Sequence, residues 1–221
     1  GREMGRAARG ELRDLLGVAP PLMYSWHGSI YVGAAHGLMG ILHVLLHCTA
    51  VLEEESARED VRASLDAVLQ LEADGNFPAS IGGDKKRKEL VHWCHGAPGG
   101  VFLFCRAYEC FQEPLLLAAA LRAGEATWRE GLVRKGPGIC HGVAGNGYAL
   151  LRLFRCSGDP KWLHRARQFG SFLCSPEGRA DWGKPDHNLS LFEGLAGSAC
   201  FLTDVTSEDS ARAWGFPLYE L

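Results

Sequence analysis

Two cysteine-histidine pairs carry the side chains best suited to chemistry. They lie in Trp93-Cys94-His95-Gly96-Ala97-Pro98-Gly99 and in Gly138-Ile139-Cys140-His141-Gly142-Val143-Ala144-Gly145, each directly before a Gly-x-x-Gly element. Thiolates and imidazoles presented twice on one device suit a borderline-soft cation, and zinc takes such ligands four at a time. The two pairs are therefore expected to be halves of one Zn2+ site. Spacing alone leaves open whether His95 or His141 completes it. A single such pair would more often be a hairpin connector with a satisfied histidine; the repetition argues for a metal.

The elements that must position these residues repeat as well. Each pair sits where a Gly/Pro-rich loop gives way to an apolar run. The run after Cys94 predicts a helix to about Phe111, and Pro114 opens an amphipathic partner reaching about Trp128. After Cys140 the helix reaches Phe154, and its partner runs from Pro160 to Leu173. An earlier copy, Ala35-His36-Gly37-Leu38-Met39-Gly40, leads into Ile41 to Leu46. Its partner follows Ser56, the expected N-cap, with Val61, Leu65, Val68 and Leu69 on one stripe. The last copy is Phe192-Glu193-Gly194-Leu195-Ala196-Gly197. The glycine pairs fall at 37/40, 96/99, 142/145 and 194/197, spaced by 59, 46 and 52 residues. This pattern predicts an all-α chain of helical hairpins, apolar inner helices ringed by amphipathic outer ones. Glycine allows sharp turning and close approach, so His36, His95, His141 and Glu193, each just before a first glycine, are expected to converge on one axis. Glu193 is expected to accept hydrogen bonds from its own helix start or a neighbouring loop, Trp26 and Trp93 to line a cleft, and Trp128, Trp162 and Trp182 to pack. The opening pattern of Met4, Ala7, Ala8, Leu12, Leu15 and Leu16 starts without a cap and is expected to be cut from a longer protein.

Composition narrows the function classes. At 221 residues and 47% hydrophobic, the chain can bury a substantial core within one domain. A net charge of -3 provides no broad basic footprint for nucleic acid. The basic run Lys85-Lys86-Arg87-Lys88 is flanked by Asp84 and Glu89 and reads as a solvated loop. His36, His43 and His47 interrupt the longest apolar stretch, so no membrane span is expected. Cys48, Cys105, Cys110, Cys156, Cys174 and Cys200 fall in apolar helical runs and are expected to be buried reduced thiols, which points to the cytoplasm.

Longer stretches around these residues resemble one family. Tyr31-Val32-Gly33-Ala34-Ala35-His36-Gly37, Leu90-Val91-His92-Trp93-Cys94-His95-Gly96-Ala97-Pro98-Gly99, Cys140-His141-Gly142 and Ser190-Leu191-Phe192-Glu193-Gly194, in that order, are similar to the LanC-like proteins, eukaryotic relatives of bacterial lanthionine cyclases. The resemblance implies an α/α toroid, a barrel of helical hairpins like that of the six-hairpin glycosidases, with zinc at one end of its axis. This chain, with four inner-helix repeats, would be about the C-terminal half: one domain over residues 1–221, incomplete at its N-terminus. The implied zinc ligands are Cys94, Cys140 and His141, with a fourth position open to water or a substrate thiol. His36 matches the active-site histidine, and His95 stands where the bacterial cyclases carry tyrosine. Lys135, Lys184, Pro185 and Asp186 match positions that contact glutathione. The family's loop can read Arg-x-Pro-Asp where this chain has Gly183-Lys184-Pro185-Asp186. The implied activity is addition of the glutathione thiol to dehydroalanine or dehydrobutyrine residues of a peptide or protein, giving a thioether. The alternative, favoured by the Gly183 departure, is a non-catalytic zinc- and glutathione-binding adaptor, peripheral at the plasma membrane.

Overall fold

The computed structural model describes residues 13, 20–82, 90–183, 185, 187–210 and 215–220. The N-terminal amphipathic segment apart from Arg13, the basic run 85–88, Lys184 and Asp186 lie outside the described residues. In chain order the elements are β1 (Ile30–Tyr31), α1 (Leu38–Leu45), α2 (Thr49–Glu53), α3 (Glu55–Leu69), β2 (Ser80–Ile81), α4 (Ala97–Phe111), α5 (Pro114–Glu130), α6 (Val143–Ser157), α7 (Pro160–Cys174), α8 (Pro176–Asp181) and α9 (Leu195–Thr206). The architecture is all-α. The short α2 and α8 and the β1–β2 pair carry no periodicity long enough to be legible in sequence. The strands pair antiparallel, Ile30 opposite Ile81 and Tyr31 opposite Ser80, and tie the loop before α1 to the loop that leads toward Cys94.

Hydrophobic periodicity decides which helices are inner. In α4 every residue from Ala97 to Cys105 is buried, and in α6 every residue from Val143 to Leu153. Only a helix covered on all sides can bury consecutive residues. By contrast α5 buries the stripe Leu116, Ala119, Ala120, Ala123 and Thr127, and α7 buries Trp162, Ala166, Phe169 and Leu173. Accordingly α1 packs on α4, α4 on α6 and α6 on α9, while α3, α5 and α7 cover α1, α4 and α6 from outside.

The glycine pairs have a more local cause than the sequence suggests. All four inner helices start at a glycine N-cap, Gly37, Gly96, Gly142 or Gly194, with no side-chain cap. At α1, α6 and α9 the first N–H groups are met by the preceding loop folding back, and at α4 the Ala97 N–H is met by Asn76 Oδ1. Met39 donates to the Val32 carbonyl, Val143 to Gly136, Ala144 to Pro137 and Leu195 to Asn188. This return presses each glycine onto a carbonyl six residues earlier. A Cβ on Gly40, Gly99, Gly145 or Gly197 would lie 2.0, 2.4, 1.9 or 2.1 Å from the carbonyl oxygen of Ala34, Trp93, Ile139 or Leu191. Orphan helix donors are thus satisfied without a Ser or Asp, at the cost of excluding any side chain. Neighbouring repeats also approach closely, as expected: a Cβ on Gly33 would lie 2.2 Å from the Cys94 oxygen.

Some expectations fail at the surface. The α3 cap is the Glu54 carboxylate, which accepts from the Ser56 and Ala57 N–H groups; Ser56 sits one step inside the helix and its hydroxyl donates to Glu54. An acidic group at a helix start also meets the positive end of the macrodipole. Cys48, Cys174 and Cys200 are exposed, because each falls on the outward side of its segment; Cys105 is buried. The described cysteines are free thiols.

Candidate metal centre

The loops at the N-terminal ends of α4, α6 and α9 meet, and main-chain hydrogen bonds join them. Ala35 N–H donates to the Cys94 carbonyl (3.3 Å), Cys94 N–H to the Cys140 carbonyl (3.1 Å) and Cys140 N–H to the Phe192 carbonyl (2.7 Å). The ligand atoms of Cys94, Cys140 and His141 thereby come within 4.8 Å of one another. Cys94 is buried, and Cys140 and His141 are half-buried. Cys140 interacts electrostatically with both the Cys94 thiol and the His141 ring. The Cys94 thiol holds the Cys140 thiol down at about 5, with help from His141, and the same contact together with burial raises Cys94. His141 is raised by the Cys140 sulfur. In metal-free protein, alkylation of Cys140 should therefore persist down to a midpoint near pH 5, falling below it as the thiolate protonates; a midpoint near 9 contradicts this electrostatic picture.

Two thiolates and an imidazole, converging from fixed loops, fit Zn2+ by ligand type and by reach. The Glu193 Oε2 atom is buried without a hydrogen-bond partner among the described residues, and its charge is felt at Cys140 and His141. Glu193 thus faces the site and, contrary to expectation, neither its own helix start nor a neighbouring loop among the described residues donates to its Oε2.

The remaining sequence-derived residues divide into two groups. His36 and His95 face each other with ring centroids 5.8 Å apart, and Tyr31 lies 5.7 Å from His36 and 5.8 Å from His95. Trp26, half-exposed, stacks on His36 at 4.8 Å. Burial, then His36 and His141, lower the His95 pKa and keep its ring neutral. His95 thus stands with His36, and His141 with the thiols. Lys135 is exposed, and its charge reaches His141. Gly183 N–H donates to the Arg134 carbonyl (2.9 Å), and Pro185 lies against Gly136, so the Pro185 loop adjoins Lys135. Trp93 is a correction: it is 6% exposed and packs on Phe216 and Tyr219, so it belongs to the core.

Other contributors carry no motif. Asn76 Oδ1 accepts from Ala97 N–H (2.6 Å) and its Nδ2 donates to the Leu90 carbonyl (3.2 Å), clasping both ends of the loop that bears Cys94 and His95. Asn146 Nδ2 donates to the Val91 and Gly131 carbonyls, both at 2.8 Å. His92, held neutral at about 4 by burial and the charge of His141, lies 6.2 Å from that ring. Asn76→Ala is expected to weaken metal binding by about tenfold in a competitive chelator titration, since groups that orient ligands contribute about 10–100-fold. Unchanged affinity would limit Asn76 to folding.

An all-α double layer with a Cys94-Cys140-His141 cluster that could hold a metal at the converging ends of its inner helices defines the class. The chain belongs to the LanC-like family: the family model described as lanthionine synthetase C-like protein matches residues 9–221. It is 41% identical over 202 residues to glutathione S-transferase LANCL1 of Danio rerio, covering 91% of this chain and 48% of that protein. It is 40% identical over 209 residues to LanC-like protein GCL1 of Arabidopsis thaliana, covering 92% and 46%. The chain thus spans about half the length of these relatives. Among solved structures, a nisin cyclase superposes with a TM-score of 0.68 at 16% identity, over 84% of this chain and 49% of that one, which shows the shared fold. Among the described residues, no helix is long and apolar enough to cross a membrane.

Proposed function

We propose that Cys94, Cys140 and His141 hold Zn2+, and that the protein adds the glutathione thiol to dehydroalanine or dehydrobutyrine residues of a peptide or protein. The observation that carries this reading is the convergence of three soft and borderline donor atoms within 4.8 Å, next to a second imidazole pair. Family membership and the similarity to a protein named glutathione S-transferase support thiol addition in general. Zinc, when bound, supplies a lowered thiol pKa at its open coordination position, so that a thiolate is available at neutral pH. Cys94 and Cys140 as thiolates with neutral His141 balance the dication's charge. The sulfur electron pair forms the S–C bond at the β-carbon, and the C=C π bond breaks toward the carbonyl as an enolate. The thiol proton leaves to solvent. His36 delivers one proton to the α-carbon, with the neutral His95 ring beside it as assistant. Lys135 pairs with a glutathione carboxylate, and Lys184, Pro185 and Asp186 complete that contact.

In this reading residues 1–221 form one domain, part of a toroid whose other hairpins lie elsewhere in a longer protein. Thiolate ligands and a glutathione partner belong in a reducing compartment, the cytoplasm. Gly183 favours the second reading, a zinc- and glutathione-binding adaptor peripheral at the plasma membrane, because a glycine offers no guanidinium to a carboxylate.

The test is to incubate zinc-loaded full-length protein with glutathione and a dehydroalanine peptide, and to follow the mass gain of one glutathione. Activity that falls about a hundredfold in His36→Asn supports catalysis. Bound zinc with no thioether above the protein-free rate leaves the adaptor, and absence of zinc binding overturns both.

A further inference from the structure

The last described segment, residues 215–220, runs into the core between the inner helices. Phe216 is 0% exposed, and its ring stacks on Trp93 at 4.7 Å. It also lies 6.5 Å from Phe192, 5.3 Å from Phe102 and 5.6 Å from Tyr148. Anchors hold the segment on both sides of this ring. Gly215 N–H donates to Asp204 Oδ2 (2.9 Å), which also accepts from the Tyr148 hydroxyl (3.0 Å). The Tyr219 carbonyl is 3.0 Å from His43 Nε2, and Glu220 is 3.0 Å from the Arg152 guanidinium and accepts from Phe216 N–H (2.8 Å).

Two of the rings around Phe216 matter for the metal centre. Trp93 directly precedes Cys94. Phe192 supplies the carbonyl that accepts from Cys140 N–H. We infer that Phe216 is a positioning residue for the metal centre: its ring completes a triangle with Trp93 and Phe192, which also lie 6.0 Å from each other, and so fixes the mutual pose of the loops that hold Cys94 and Cys140. Cores are close-packed, so a smaller ring substitute leaves those loops room to drift. A drift of a few tenths of an ångström matters for ligands that must meet one ion but little for backbone topology.

This inference rests on the zinc reading for its consequence but not for its geometry, so the test reads both. Wild type, Phe216→Leu, Phe216→Ala and Phe201→Leu are compared in the full-length protein. Phe201 is equally buried and also packs on Tyr148, but it has no ring contact with Trp93 or Phe192, so it controls for lost stability. In metal-free protein, dibromobimane cross-linking of Cys94 to Cys140, identified by peptide mass, measures loop separation. In loaded protein, Co2+ affinity and the thiolate-to-cobalt absorption measure ligand geometry. Expected are a severalfold lower cross-link yield and about tenfold weaker Co2+ binding in Phe216→Leu, with Phe201→Leu near wild type in both. Equal cross-linking and affinity in wild type and Phe216→Leu would overturn the inference, as would equal losses in Phe201→Leu. If Phe216→Ala does not fold, Phe216→Leu decides. Wild type that cross-links but binds no Co2+ would sink the zinc reading, and the cross-linking would still judge Phe216.

Discussion

Cys140→Ala, Cys94→Ala and His141→Ala are each expected to lose zinc to a chelator that leaves wild type loaded, with affinity reduced by more than about a hundredfold. Groups that only orient a ligand contribute about 10–100-fold, so removal of a ligand must exceed that range. Cys200→Ala, at an exposed position outside the cluster, should retain one zinc per chain. Metal content by mass spectrometry on dialysed protein reads all four. Retention in every variant would remove this cluster from any thiol chemistry.

Gly145→Ala should lower stability by about 3 kcal/mol, the upper part of the range for overpacked sites, which for a chain of this size is a fall of about 6–12 °C in Tm. The added methyl would sit 1.9 Å from the Ile139 oxygen, and a backbone carbonyl cannot step aside as a side chain can. That carbonyl belongs to the residue before Cys140, so zinc affinity should fall with stability. Gly158→Ala is the contrast: its Cβ meets nothing within 4 Å, and only the left-handed φ of 70° opposes it, a cost of about 1 kcal/mol. Calorimetry on both variants checks the ranking; equal melting points would deny the contact of Gly145 with the Ile139 carbonyl its role.

Much of the fold was legible because the sequence repeats. Apolar runs against amphipathic ones separate α4 and α6 from α5 and α7, and Cys94, Cys140, His36 and His95 advertise themselves by residue type beside glycines. What spacing could not say was which histidine stands with the thiols: His95 and His141 occupy the same register, and only the three-dimensional turn of each loop separates them. Asn76 and Asn146 were invisible because a clasp on two carbonyls has no sequence pattern. Trp93 was misassigned because its burial depends on Phe216, far away in sequence. Cap propensity, a weak rule where a longer carboxylate can reach the same donors, points to Ser56 and does not bring Glu54 into view.

The hydrogen bonds from Ala35 to Cys94, Cys94 to Cys140 and Cys140 to Phe192 have a dynamic consequence. They thread one amide from each of three successive repeats onto the carbonyl of the next. No single loop can lift without breaking a link with its neighbour, so these repeats open together or not at all. The amides of Cys94 and Cys140 should consequently belong to the slowest-exchanging set in native-state hydrogen exchange, protected up to the free energy of global unfolding, while the far turns between inner and outer helices exchange by local fraying. The end of the molecule that bears the reactive side chains is then its most cooperative part.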